Sequence, residues 1–357
     1  MASGTWDPIS LPIRPGLYIN FVEQALAQIT GGPRGIVALP VFNYGTAKAG
    51  EFTLIANEKE AVDLLKITNS KPVIRVLQGG AKEVLVYTVP AIQTPETEES
   101  QYIKMRDAFE ARPFNVFVYP GEVSSTEQDS TVTWVKRNRS EGKHFMVVFG
   151  GTADEDQDVV ATNQRSVRLK DDYVVNLGSG VVLSDGSTLT SSEYASYIAG
   201  LIAGTPINKS VTYQALPVVD VTKRLRHSEI ESALTSGTLI LVHDGTSVKV
   251  EQGVVTNSSA SKRGKIRIIR ARQAVSTDIP RTACDHYIGK IDNNPAGQAA
   301  LISAIKSYLE TLELNNVLME PVVKLDPQRP PVGDSVFLSI SYIEVDSMER
   351  IFLTINV

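Results

Sequence analysis

One cysteine, Cys284, stands in the 357 residues. It excludes an internal disulfide and a structural zinc site built on thiolates, and makes folding in a reducing cytoplasm the expectation. Histidine is almost as scarce. His144, His227, His243 and His286 never fall at the i, i+4 spacing of a helical metal pair, so they read as surface or core side chains. No apolar run approaches the about 20 residues of a membrane-spanning helix. The opening MASGTWDPISLPIRPG lacks both a basic start and an apolar core, so a secretory signal is not expected. Phosphate and nucleophile motifs are missing as well. Gly79-Gly80 and Gly150-Gly151 follow strand-like runs but lead into no glycine fingerprint with Lys-Ser/Thr, and read as tight turns. Gly178-Ser179-Gly180 lacks the pattern of a nucleophile elbow. The net charge of -5 argues against a dedicated nucleic-acid binder. There is no long internal repeat and no low-complexity segment.

What is present is ordinary in bulk and unusual at the ends. Hydrophobic residues make up 42% and charged residues 21%, the balance of a soluble globular protein. At about 150 residues per domain, two or three domains are expected. Residues 1–16 carry Pro8, Pro12 and Pro15, which suit an extended arm. Leu17, Ile19 and Phe21 then alternate with Tyr18 and Asn20 as a short strand. Residues 35–39 read as a buried strand. In the β-leaning segment 43–92, Asn57 and Glu60 cap a helix over 58–66, and 73–77 and 84–89 read as strands.

From Thr94 helices and strands alternate. Helix 96–110 precedes strand 114–119, and helix 127–139 precedes strand 145–149, the pattern of parallel strands with crossover helices. Ser191–Ala203 reads as a helix whose Gly200 and Gly204 imply close packing. Helix 228–234 ends at Gly237, and 238–251 reads as a hairpin around Asp244-Gly245. Residues 257–261 read as a linker. Pro280 is expected to break or kink the helical region that follows. Leu301, Ile302, Ile305, Tyr308, Leu309 and Leu312 form one apolar helical stripe.

Pro327, Pro330 and Pro331 form a stiff bridge to a strand over 336–345. Ile351, Leu353, Ile355 and Val357 then alternate with Arg350, Phe352, Thr354 and Asn356. Such an apolar terminal strand is an aggregation hazard unless another strand pairs with it, so it is expected to be tied down.

In this order the pieces resemble the contractile tail sheath proteins of phages and related injection systems. The resemblance rests on RPGLYINF and RGIVALP near the start, on EYASYIAGLIAGTPINKS, and on the C-terminal third with IRIIRARQAV, YIGKIDNNPAGQAALISAIKSYLETLE and DSVFLSISYIEVDSMERIFLTINV. It implies a structural subunit and no enzyme or cofactor. Copies would stack as six-membered rings, arranged helically, around an inner tail tube. The sheath would meet baseplate and tail terminator proteins, without touching nucleic acid or entering a membrane. Assembly in the host cytoplasm and residence in a virion tail follow from the same likeness. Terminal arms would add strands to a neighbour's C-terminal domain, and contraction would drive the tube through the target envelope.

The implied fold is multidomain α/β and α+β. An extended arm over 1–28 precedes a central mixed α/β sheet domain over 29–260 with a small β-rich insertion near 43–92. A C-terminal α+β domain over 261–357 ends in a β arm, 333–357, and is completed by the extended terminal strands. The arm residues are then Leu17, Ile19 and Phe21 at one end and Ile351, Leu353 and Ile355 at the other. The basic run Lys262, Arg263, Lys265, Arg267, Arg270 and Arg272 has three readings: a solvated helix face, a contact with an acidic tube or neighbouring subunit, or a phosphate contact. Lys306 joins the tube-contact candidates on the polar side of the apolar stripe. Asp154, Glu155, Asp156 and Asp158 lack the spacing of a calcium loop and read as a solvated acidic loop. A cytoplasmic α/β ligand-binding protein or enzyme remains the competing reading of the 94–150 alternation.

Overall fold

A computed structural model describes residues 3–4, 17–18, 29, 31–32, 34–258 and 264–355. Ile19, Phe21, Lys262 and Arg263 lie outside the described residues.

The main sheet has seven strands. From edge to edge they are β12 (Thr238–Leu239), β8 (Val174–Leu177), β7 (Met146–Phe149), β6 (Val116–Val118), β3 (Ile36–Val41), β5 (Glu83–Thr88) and β4 (Phe52–Ile55). All neighbours are parallel except β4, which runs antiparallel to β5. Every residue of β3, β6, β7 and β8 is buried. Such buried runs, apolar except for Asn176 in β8, are what a parallel sheet covered on both faces requires. The crossovers are α3 (Glu98–Glu110), α4 (Ser125–Ser140), the short α5 (Ala153–Asp156), α6 (Val159–Arg168), α7 (Ser191–Gly204) and α8 (His227–Ser236).

Helix α7 begins at a capping box between Thr190 and Glu193, and every residue from Ser191 to Ala203 except Glu193 is buried. A helix apolar all round is a core helix. It touches α2 (Lys71–Gln78) backbone to backbone. A Cβ on Gly200 would lie 2.0 Å from the Val76 carbonyl oxygen, and one on Gly79 would lie 2.3 Å from that of Tyr197. Only glycine permits that approach.

Smaller sheets decorate this core. Strand β9 (Val181–Val182) lies between β10 (Thr188–Leu189) and β11 (Asp220–Val221), and β13 (Leu241–His243) pairs with β14 (Val248–Val250) across the expected turn. Near the start, β1 (Ser3–Gly4) runs parallel to β2 (Leu17–Tyr18). The C-terminal unit is α9 (Ile266–His286), α10 (Pro295–Leu314) and a hairpin of β15 (Leu318–Leu325) and β16 (Leu338–Glu344). Its own core gathers Val275, Ile305, Tyr308, Leu309 and Leu312.

Three expectations need correction. Residues 73–77 are helical: Pro72 opens α2, and Val73 and Val76 point inward one helical turn apart. The 43–92 segment is no separate β-rich insertion. It carries α1 (Glu58–Asn69) and α2, and β5 pairs with β3 along all six residues in the middle of the main sheet. Finally, α9 runs unbroken through Pro280. Proline removes one helical hydrogen bond, but buried Val275, Asp278 and Thr282 hold the turns on either side, so tertiary packing overrides propensity. The domain limits also interleave. Ile29 packs in the C-terminal core, while Ile266 and Ile269 at the head of α9 pack in the central one.

Candidate assembly surface

The hairpin β15–β16 follows α10 in the C-terminal unit. It is antiparallel, with a register shift between Met319 and Val322. Glu320 there takes a left-handed φ of 56°, and Pro321 follows it without an N–H, the features of a bulge. Among the described residues no third strand pairs with this hairpin. Two strands alone are marginal in water, and open edges invite another strand. Met319, Val322 and Ile343 are exposed on it.

Beyond β16 the chain ends in a tail whose apolar side chains are exposed. Ile351 is 68% exposed, Phe352 90%, Leu353 80% and Ile355 79%. No strand is formed within 345–355. Of the six expected arm residues, Ile351, Leu353 and Ile355 are therefore exposed, Leu17 pairs with Ser3 in β2, and Ile19 and Phe21 fall outside the described residues.

The basic run explains how this tail is rooted. Lys265 Nζ lies 2.7 Å from Asp346 Oδ2 and 2.9 Å from Glu349 Oε2. Glu349 also accepts from Gln252 Nε2 at 2.7 Å and from Thr212 Oγ1 at 2.9 Å. Burial alone would push the Glu349 carboxyl up; the bonds from Lys265, Gln252 and Thr212 outweigh it and hold the group below the usual range. For Lys265, burial pulls the ammonium down, and its two carboxylate partners more than reverse that. Two turns along α9, Arg272 Nε donates to Glu344 Oε1 at 2.7 Å and ties down the end of β16.

Arg267 and Arg270 instead turn inward. Arg267 donates to the Asn316 carbonyl at 3.0 Å and is buried, as is Arg270. So the solvated-face reading does not fit these two side chains. Of the five described candidates only Lys306 is largely exposed, beside Glu310 at 3.7 Å. Sequence reasoning found the cations and missed their partners. Glu349 lies 97 residues from Gln252 and 137 from Thr212, so no local pattern could mark it.

The acidic stretch is likewise structural. Glu155 closes a capping box with Thr152 and pairs with Arg165; Asp158 caps α6. Asp156 is buried, and burial lifts its carboxyl to about 6 against the hydrogen bonds from Ser191. Among the described residues no group of three acidic, His or Cys side chains is placed to hold a metal ion. At the carboxyl end of β6, where an α/β enzyme would bind its ligand, a buried cluster fills the space. There Glu127 pairs with Arg106 and accepts from Tyr119 Oη at 2.5 Å.

Residues 96–256 match the phage tail sheath protein central domain and residues 258–357 the phage tail sheath C-terminal domain. A tail sheath protein of Clostridium phage phiCD119 is 25% identical over 300 residues, which span 82% of this chain and 79% of that one. A sheath tail protein from Desulfitobacterium hafniense shares the fold with a TM-score of 0.71 at 20% identity, covering 92% of this chain and 100% of that one. The helical sheath of the anti-feeding prophage in its contracted state does so with a TM-score of 0.74 at 14% identity, covering 97% and 99%. Two sheath domains in the expected order, together spanning most of the chain, make it a member of the phage tail sheath family.

Proposed function

We propose that this sheath subunit polymerises by lending its C-terminal tail to the β15–β16 hairpin of a neighbouring copy. The observation that carries the reading is the pairing of opposites in one chain: among the described residues, a two-stranded sheet with no third strand, and an apolar segment left exposed. Strand addition satisfies both needs through main-chain hydrogen bonds and alternate side-chain burial. A donor that serves a neighbour, head to tail, generates a ring or a helix. Six-membered rings stacked around an inner tube, flanked by baseplate and terminator proteins, are the arrangement the family suggests. Contraction then needs no catalysis, nucleotide or cofactor, because bistable interfaces store the work. Virion-tail residence and assembly in the host cytoplasm belong to the same proposal.

The arm reading has a direct test. Chains carrying Ile343→Cys are mixed with chains carrying Leu353→Cys, both in a Cys284→Ser background, and treated with a short bismaleimide linker. A covalent dimer of the two variants is expected in the pelleted polymer and not in the soluble fraction. Its absence from well-formed polymer would refute exchange between subunits. Lys306, exposed beside Glu310, is the residue we assign to contact with an acidic tube. Lys306→Glu should weaken co-sedimentation with the tube protein, increasingly so at low salt; unchanged binding would remove it from the interface.

A further inference from the structure

A cavity of about 460 Å³ lies at the amino-terminal end of the main sheet, opposite the end where α/β folds hold ligands. Ile36, Phe109, Phe114, Phe145, Ile207 and Ala274 give it an apolar wall. Its lining also includes five Arg and Lys side chains against two carboxylates, Glu110 and Asp278.

Both carboxylates are already engaged. Asp278 takes the Arg34 guanidinium, the Tyr308 hydroxyl at 2.5 Å and the Gly32 N–H at 2.8 Å. Glu110 takes Arg137 and the Trp134 indole N–H. Arg270, on α9, receives neither. It is 8% exposed, and its one hydrogen bond among the described residues is a long one, 3.5 Å, to the Ala203 carbonyl. Burial, with nearby Arg34 adding to it, pulls the guanidinium down to about 10. A buried cation with five donors and no anion among the described residues is costly, and the usual remedy is a compensating charge.

We propose that this cavity is a binding site for a small monocarboxylate with a short alkyl or aryl body, its carboxylate paired with the Arg270 guanidinium and its body against Phe109, Phe114 and Phe145. The volume and the mixture of apolar wall and charged groups are those of a small-molecule pocket. A planar guanidinium matches a carboxylate two bonds at a time. The carboxylate comes either from a free acid or from an acidic side chain of a second copy, and the test separates these.

The experiment is thermal unfolding of the full-length chain with octanoate or benzoate, against phosphate and chloride at equal ionic strength. Octanoate or benzoate should raise the melting temperature saturably, half-saturating between about 0.1 and 10 mM; phosphate and chloride should not. Arg270→Gln should abolish the shift. Ala274→Phe, which fills the apolar part and keeps Arg270, should abolish it too and serves if the first variant does not fold. If octanoate also blocks polymerisation, the natural carboxylate is a neighbour's side chain; if polymerisation is untouched, it is a free acid. The proposal is overturned if neither acid gives a saturable shift, or if Ala274→Phe responds as the parent chain does.

Discussion

Deleting residues 351–357 is expected to abolish polymer while leaving a soluble chain whose stability changes by less than about 0.5 kcal/mol. The small effect on the single chain follows from exposure. Ile351, Phe352, Leu353 and Ile355 are all mostly exposed within their own subunit. The large effect on assembly follows from the same side chains. Each is worth about 1.5–3 kcal/mol when fully buried, and an added strand turns roughly half of them onto a partner. That gives about 3–6 kcal/mol of gross burial per arm, before ordering costs and with the main-chain bonds still to count. Loss of one such arm per subunit is multiplied along the polymer. The cut is placed after Arg350 so that Glu349 keeps its partners. Pelleting and circular dichroism check the two halves of the expectation; normal polymer from the truncated chain would refute it.

Lys265→Met should be the most damaging single change at the root of the tail. It strips the shared cation from Asp346 and Glu349 and leaves a buried carboxylate behind. Breaking a fully buried pair costs about 3–5 kcal/mol; Lys265 is one-fifth exposed, so about 2–3 kcal/mol is expected. The sign with pH is fixed by both partners. Glu349 titrates below its ordinary 4.5 in the folded chain, so its contribution is present above that value and fades as pH falls through the folded pKa. Lys265 titrates above its ordinary 10.5, so its contribution is present below that value and fades as pH rises through the folded pKa. The difference in stability between parent and variant should therefore be flat from about 4.5 to 10.5 and shrink outside. The same change should free residues 346–350, so trypsin should cut after Arg350 faster. An unchanged cleavage rate would show that Lys265 does not anchor the tail.

Much of this architecture could be read from local pattern. The stripe from Leu301 to Leu312 and Pro295 at the start of its helix mark α10, and Gly200 anticipates the tight contact with α2. The helical spacing of Val73 and Val76 was hidden by the β-branched residues around it, and Pro72 was the signal that should have decided it. Pro280 misled in the other direction, because packing on both sides of a helix does not show in its propensities. The tail itself was legible, since alternation from Ile351 to Ile355 needs no partner to be seen. Its anchor was not. Thr212, Gln252, Lys265 and Glu349 come together only through the folded domains. The cavity was hidden for the same reason: Arg270 looked like one charge in a basic run until folding turned it inward.

Negative-stain electron microscopy of the full-length chain, alone over a range of concentration and salt and co-expressed with a candidate tube protein, tests the central claim most directly. Regular tubes or stacked six-fold rings are the predicted result. A field of single particles in both preparations would contradict a self-assembling sheath.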